Sequence, residues 1–232
     1  KSLLIDLHYL PSLEYFCVLQ QYDSIQLEKN EHYVKQSYRN RCYINTAQGP
    51  EMLVVPLTDK HGKVPIKDVR IDYSSKWQNN QWRTIESAYR KAPYYEFYSE
   101  DIQKIIYHSY TFLFDLNLDL LSFCLKSIRH KPTLSVSVTY EKIPDESLSD
   151  LRSVIHPKIP FTERPFFRSV PYQQVFGNQF AANLSLIDLL FSEGPRTGSL
   201  LLASRDKGLK NKFGKVLIIR CLVNDIYLIN DC

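Results

Sequence analysis

The first 27 residues do most to fix the fold class. Leu3–Leu7 is a short apolar run suited to a buried strand, and Pro11 and Ser12 punctuate it. Ser12 can cap a helix from Leu13 to about Gln20. Glu14 falls in that helix's first turn, where the macrodipole favours an acid. Asp23 ends the segment and Ser24–Leu27 reads as a second strand. Strand, loop, helix and strand in so short a span is the size of a βαβ unit, which points to an α/β fold.

Further along, Arg41–Asn45 and Glu51–Leu57 flank the turn Ala47-Gln48-Gly49-Pro50 and read as a β-hairpin, with Pro56 near an edge or an end. Asp59–Lys63 is an expected exposed loop and Asp68–Asp72 an expected short strand. Trp82, Ile85 and Tyr89 share one helix face, and Pro93 stops that helix. Asp101–Arg129 carries the period of two helices broken near Thr111–Asn117. Thr133–Tyr140 alternates as a half-buried strand does. Ser147–Ile155 is an expected short helix, and Pro157–Pro171 an ordered irregular segment. Asn183–Phe191 is a capped apolar helix ended by Gly194-Pro195. Ser204–Asn211 is basic and polar, and Lys215–Ile229 is an expected strand pair. The expectation is one α/β domain over residues 1–232, with an N-terminal βαβ-like unit, a β-hairpin, several packed helices and a mixed sheet.

Composition narrows the chemistry. A chain of 232 residues with 44% hydrophobic and 23% charged residues can bury a sizeable core. A net charge of +4 permits an anion site without requiring nucleic acid. Only 7 Gly are present, and neither GxGxxG nor GxxxxGK[ST] occurs, so the usual backbone cradles for phosphate are missing. The cysteines (Cys17, Cys42, Cys124, Cys221, Cys232) are odd in number and widely spaced without CxxC, which fits a reducing compartment. The histidines lack ligand spacing, so no metal is expected. The opening apolar run is too short for a signal peptide and is interrupted by Asp6. No run approaches the roughly 18–20 residues of a membrane span. A cytoplasmic protein without membrane insertion is the expectation.

The densest chemistry lies in His32–Asn45. Lys35, Arg39 and Arg41 fall within seven residues, interleaved with Tyr33, Tyr38 and Tyr43, with Gln36, Ser37 and Asn40 between them and no acid from residue 32 to residue 50. Guanidinium forks suit phosphate or carboxylate, and tyrosine faces suit bases or sugars. The same alternation also fits a charged edge strand, and the residues alone leave both readings open. A second concentration holds the only two Trp. Trp77, among polar residues beside Lys76 and Arg83, is a stacking candidate, whereas Trp82 reads as core. His8 sits in the turn between a strand and a helix, where nucleotidyl-transferring folds place a phosphate-contacting His. Cys42 beside Arg41 is either a thiol of lowered pKa or a core residue. Asp188 is a lone acid among Leu and Ile, costly if buried unpartnered; an Arg of the basic stretch is the expected partner.

LHYLPSLEYF (Leu7–Phe16), HYVKQSYRNRCYI (His32–Ile44), LVVPL (Leu53–Leu57), KWQNNQWRTIESAYRKAPYYEFY (Lys76–Tyr98) and QVFGNQFAANLSLIDLLFSEGP (Gln174–Pro195) together resemble the WbqC-like proteins of bacteria, most closely the shorter Bacteroidetes type. The resemblance runs from about Leu3 to Pro195 and leaves 196–232 as an unassigned extension. It implies an α/β fold, an association with surface-polysaccharide (O-antigen) biosynthesis, and an activity described as glycine or aminoacyl transfer to sugars, with no established catalytic residue. Matched positions include Tyr9, Lys35, Arg39, Asn40, Arg41, Trp77, Arg83 and Asp188. The chain departs from the pattern where Leu7-His8-Tyr9 replaces His-Gln-Pro, where Gln81 replaces a His, and in lacking a late Gly-rich loop.

The expected function is a transferase of aminoacyl, acyl or glycosyl type that binds an anionic sugar or a nucleotide-linked substrate. Tyr9, Lys35, Tyr38, Arg39, Asn40, Arg41, Trp77 and Arg83 are the candidate binding residues, and Lys35, Asp188 and His8 the catalytic candidates. The alternatives are a nucleic-acid-binding module, which the modest charge disfavours, and a scaffold subunit. The sequence specifies no cofactor and no oligomeric state.

Overall fold

The computed structural model describes residues 1–58, 63–177 and 179–206. Strand β1 (Ser2–Asp6), helix α1 (Leu13–Leu19) and strand β2 (Ser24–Glu28) form the expected βαβ unit, with Leu3 opposite Ile25 and Ile5 opposite Leu27 in parallel register. A parallel strand covered on both faces needs apolar residues at every position, and Leu3, Leu4 and Ile5 are all buried. The hairpin pairs β3 (Arg41–Thr46) with β4 (Gly49–Val54), Cys42 opposite Leu53. Gly49, at φ +99°, supplies the left-handed turn residue that most side chains resist. The parallel and antiparallel pairings thus belong to separate sheets.

Helices α2 (Trp77–Tyr89), α3 (Tyr95–Tyr107) and α4 (Leu113–Ser127) follow. The break falls at residues 108–112, earlier than the expected Thr111–Asn117 because α4 already begins at Leu113, and Leu113, Leu116, Leu120, Leu121 and Cys124 form the buried face of α4. Each such leucine contributes about 1.5–3 kcal/mol by burial. Strands β5 (Thr133–Val136) and β6 (Leu148–Asp150) complete a four-stranded sheet in the order β5–β2–β1–β6, every pair parallel. Helix α5 (Leu186–Glu193) and helix α6 (Thr197–Ala203) close the described chain.

Four local expectations are corrected. Residues 147–155 do not form a helix: Leu148–Asp150 takes the open edge of β1, and Leu151 N–H donates to the Leu4 carbonyl. Ser153, at φ +58°, then stops any helix from forming. The strand from Thr133 ends at Val136 and is exposed throughout, because Ser137 turns inward to bond Glu28. Asp68–Asp72 is a one-turn 3-10 helix (Ile66–Asp68) followed by single bridges of Arg70 to Phe112 and Ile71 to Leu57. Ser12 caps nothing with its side chain; Asn183 Oδ1 accepts the Glu14 N–H and the Leu184 carbonyl accepts the Leu13 N–H. The expected loop at 59–62 and the strand pair at 215–229 lie outside the described residues.

Candidate functional site

In open parallel sheets, ligands bind beyond the carboxyl ends of the strands, where neighbouring connections diverge. Here that edge carries most of the buried charge. Asp6 ends β1, Glu28 ends β2, Ser137 follows β5, and Asp150 ends β6 with Arg152 just beyond it. The loop 32–40 folds back over this edge, anchored where Tyr9 N–H donates to the Tyr38 carbonyl.

Arg39, only 1% exposed, is the hub. Its NH2 group lies 3.2 Å from Asp6 Oδ2 and 2.7 Å from Glu31 Oε1, and donates to Ser153 Oγ at 2.9 Å. Asp6 also accepts the Ser153 N–H at 2.8 Å, and Tyr15 donates to the Asp6 carbonyl. Burial raises the Asp6 pKa, but Arg39, His8 and the Ser153 N–H together outweigh it and hold the carboxyl well below its ordinary range. Glu31 shares the same guanidinium, and there burial wins and raises its pKa. Two further clusters flank this one. Arg152 joins Glu28 and Asp150 at 3.0 and 2.7 Å, and Arg164 grips Glu14 bidentately at 2.7 and 2.6 Å.

His8 is wholly buried and points its Nε2 at Asp6 Oδ2, 2.9 Å away. An ionised carboxylate can only accept, so Nε2 carries a hydrogen toward Asp6, and in the neutral ring Nδ1 is the acceptor. Among the described residues no side chain or backbone group bonds Nδ1. Tyr15 and Tyr38 flank the ring at 4.6 and 5.5 Å. Backbone strain concentrates nearby: Leu10, Gln36, Ser153 and Asn183 all adopt positive φ without being glycine. Such conformations persist where surrounding structure enforces them, and functional sites are enriched in them. His156 is also buried, and its pKa is lowered to about 4 by burial and by the Arg39 charge.

The remaining sequence candidates divide sharply. Lys35 is exposed, Arg41 is half-buried at the start of β3, and Tyr38 is half-buried over His8. Tyr9 is core and donates to Gln81 Oε1 at 2.6 Å. Asn40 is buried and donates to the Val55 carbonyl. Trp77 is buried against Tyr73 rather than presented for stacking, though its Nε1 has no partner. Direct ligand contact is therefore corrected for Tyr9, Arg39, Asn40 and Trp77, whose polar groups or faces lie inside the fold. The phosphate-cradle reading of the turn after β1 meets the same obstacle, since Asn183 and Leu184 already take the first N–H groups of α1. Burial pushes the Cys42 thiol up rather than down.

Asp188 pairs with no arginine among the described residues. It accepts from Tyr89 at 2.8 Å, Tyr172 at 2.5 Å and Gln174 at 3.0 Å, and burial raises its pKa. Arg83 stands apart on an exposed groove of about 350 Å³, beside Arg90, Lys91 and Phe176. Among the described residues no group of three or more His, Cys, Asp or Glu is arranged to hold a metal ion, and no helix is long and apolar enough to cross a membrane.

Sequence reasoning missed Asp6, Glu14, Glu28, Arg152, Ser153 and Arg164. One signal was present: Asp6 and Glu28 each close an apolar strand, where a charge survives only with a buried counter-charge.

The family model for WbqC-like proteins matches residues 7–157. The segment Gln174–Pro195, and with it Asp188, lies beyond that match. Over 98 residues the chain is 30% identical to the uncharacterized protein Rv1507c of Mycobacterium tuberculosis (strain ATCC 25618 / H37Rv), covering 41% of this chain and 41% of that relative. No solved structure matches. The matched residues carry α1, β2, the basic loop, the hairpin, Arg39 with its partner Glu31, and the Arg152 cluster, and the chain belongs to the WbqC-like protein family.

Proposed function

We propose that the protein is a transferase of surface-polysaccharide biosynthesis, acting on an anionic sugar or nucleotide-linked substrate at the carboxyl edge of the parallel sheet. The observation that carries this reading is the Asp6–His8 pair at the end of the central strand. Asp6 takes the Nε2 hydrogen, and the buried Nδ1 has no partner among the described residues, so the neutral ring offers it as an acceptor. That is the arrangement of a general base whose orientation is set by a carboxylate. Lys35 and Arg41, from the loop and strand over this edge, are the cations available to an anionic leaving group. Arg39 acts as a positioning residue, holding Asp6 ionised and tethering the basic loop to the sheet.

In this scheme loop 32–40, whose Tyr38 covers the wholly buried His8 ring, moves aside, and an acceptor O–H or N–H then gives its proton to His8 Nδ1. The acceptor atom bonds the transferred acyl or glycosyl carbon as the bond from that carbon to the phosphate or nucleotide oxygen breaks. The electron pair stays on that oxygen, beside Lys35 and Arg41.

Calorimetric titration with a panel of nucleoside-diphosphate sugars tests the reading. Binding of one of them, weakened tenfold or more in Lys35→Ala and in Arg41→Ala, is the expected result. His8→Asn should keep binding and lose transfer to an acceptor alcohol or amine. Failure of the wild-type protein to bind any member of the panel at millimolar concentration would overturn the proposal.

A further inference from the structure

The face of α2 remote from the sheet edge has properties that the transfer reading does not use. Arg83, Ser87, Arg90 and Lys91 fall at i, i+4, i+7 and i+8, so they line one side of α2 and its C-terminal cap. Opposite them lies Phe176, and beyond Arg83 a second hollow of about 350 Å³ continues the groove toward Thr46, Gln48 and Glu51 at the hairpin turn. The two hollows share Arg83, Ser87, Ala88 and Phe176, so they form one elongated groove. Its far end lies at the Thr46 end of β3, five residue steps or roughly 17 Å along the strand from Arg41.

Two features separate this groove from an ordinary solvated helix face. Its cations are not locked in ion pairs: none of Arg83, Arg90 and Lys91 forms one among the described residues, although Glu86 and Glu51 line the groove, whereas Arg39, Arg152 and Arg164 each sit in one. The opposing wall is also built rather than loosely draped. Asn45 Nδ2 donates to the Phe176 carbonyl at 3.0 Å. Gln174 brackets Ala181 through both its amide groups at 2.9 Å. Asp188, wholly buried and without a cationic partner among the described residues, holds Tyr89 on α2 and Tyr172 and Gln174 on the wall together. A buried carboxylate is a costly way to fix a loop, and its effect is to hold Phe176 against the basic face of α2.

We infer that this groove is a second binding site, for an acidic oligosaccharide carrying carboxylates. Arg83 and Arg90 supply forks that match a carboxylate in the bidentate mode. Phe176 offers a face for the apolar side of a sugar ring. Ser87, Thr84, Thr46 and Gln48 offer donors and acceptors for ring hydroxyls, and Glu51 and Glu86 can accept from them. The elongated shape fits several linked sugars rather than one compact ligand.

Trigalacturonate and its neutral counterpart maltotriose are the probes, titrated into the full chain. Trigalacturonate should bind, maltotriose should bind at least tenfold more weakly, and Arg83→Ala/Arg90→Ala should lose tenfold or more for the acidic trimer. Lys35→Ala should leave trigalacturonate binding unchanged, which separates this site from the sheet edge. Absent binding of trigalacturonate, equal binding of the two trimers, or equal binding by wild type and the double variant would each overturn the inference. Because both substituted arginines are exposed, an unchanged melting temperature serves as the folding control.

Discussion

Arg39 and Arg83 carry the same guanidinium into opposite surroundings. Arg39 lies under a loop with two carboxylates, a hydroxyl and the central strand of the sheet around it. Arg83 lies on the open face of α2 in no ion pair among the described residues, with Glu86 and Glu51 lining the same groove. Both belong to sequence motifs dense in cations and aromatics, and both read from the sequence as anion grips. The difference lies in what burial demands. A guanidinium taken out of water must be neutralised on the spot, and once neutralised it has little left to offer a ligand. Cations that build the site and cations that can hold a substrate are therefore separated in space, and each separation can be broken by substitution.

The largest effect is expected from Arg39→Ala. It leaves Asp6 and Glu31 buried without their shared counter-charge, and removing one partner of a buried ion pair costs about 3–5 kcal/mol. Urea unfolding should show that loss directly. A variant within about 1 kcal/mol of wild type would mean that Arg39 is not a structural hub, and would return it to the list of ligand grips. A similar cost is expected from Arg164→Met alone, which strands Glu14. Replacing both partners, as Glu14→Leu/Arg164→Met, should cost clearly less than the single change, because no charge is then left uncompensated. A double variant as unstable as the single one would locate the cost in lost packing or in the contacts of Arg164 with the His156 and Ile159 carbonyls.

The pH dependence probes the same buried edge. The pKa of His156 falls from 6.5 to about 4 on folding. It therefore contributes stability that is present above pH 6.5 and is lost as pH falls from there toward 4. Glu31 acts in the opposite sense. Its pKa is raised above 4.5, so its contribution is present below pH 4.5 and is lost as pH rises through its folded value. The two partly cancel in the wild-type curve. His156→Gln removes one of them, so the stability difference between wild type and variant should grow with pH between 4 and 6.5, by up to about 3 kcal/mol. A difference independent of pH across that window would show that His156 does not change its proton affinity on folding.

Much of the architecture was legible because it rests on local pattern. The apolar run at Leu3–Leu7, the helix that starts at Leu13, the hairpin around Gly49 and the periodicity of α2 and α4 all follow from spacing that survives folding. The strand at Leu148–Asp150 was not legible. Leu148, Leu151 and Ile155 have helix-like spacing, and what overrides it is the unpaired edge of β1, more than 140 residues away in sequence. The candidate site was legible in part for a related reason. His32–Asn45 was found by composition, and it does fold over the sheet edge. The sequence could not say which of its cations faces inward, because that depends on Glu31 and Asp6 meeting Arg39 in space. Asp188 was singled out as a buried acid, but its partners are the hydroxyls Tyr89 and Tyr172, which carry no charge signature.

The smallest stability effect is expected at the groove, and it bears most directly on the contrast between Arg39 and Arg83. Arg83→Ala and Arg90→Ala remove exposed side chains that hold nothing else in place, and changes of that kind usually stay within about 0.5 kcal/mol. Urea unfolding of the double variant should overlay the wild-type curve. If the double variant instead loses as much stability as Arg39→Ala, the α2 cations are structural too, and the division between buried scaffold charge and free ligand-facing charge fails. If it is as stable as wild type, the cations on α2 cannot be explained by folding, and a reason for placing three of them opposite a clamped Phe176 has to come from what the groove binds.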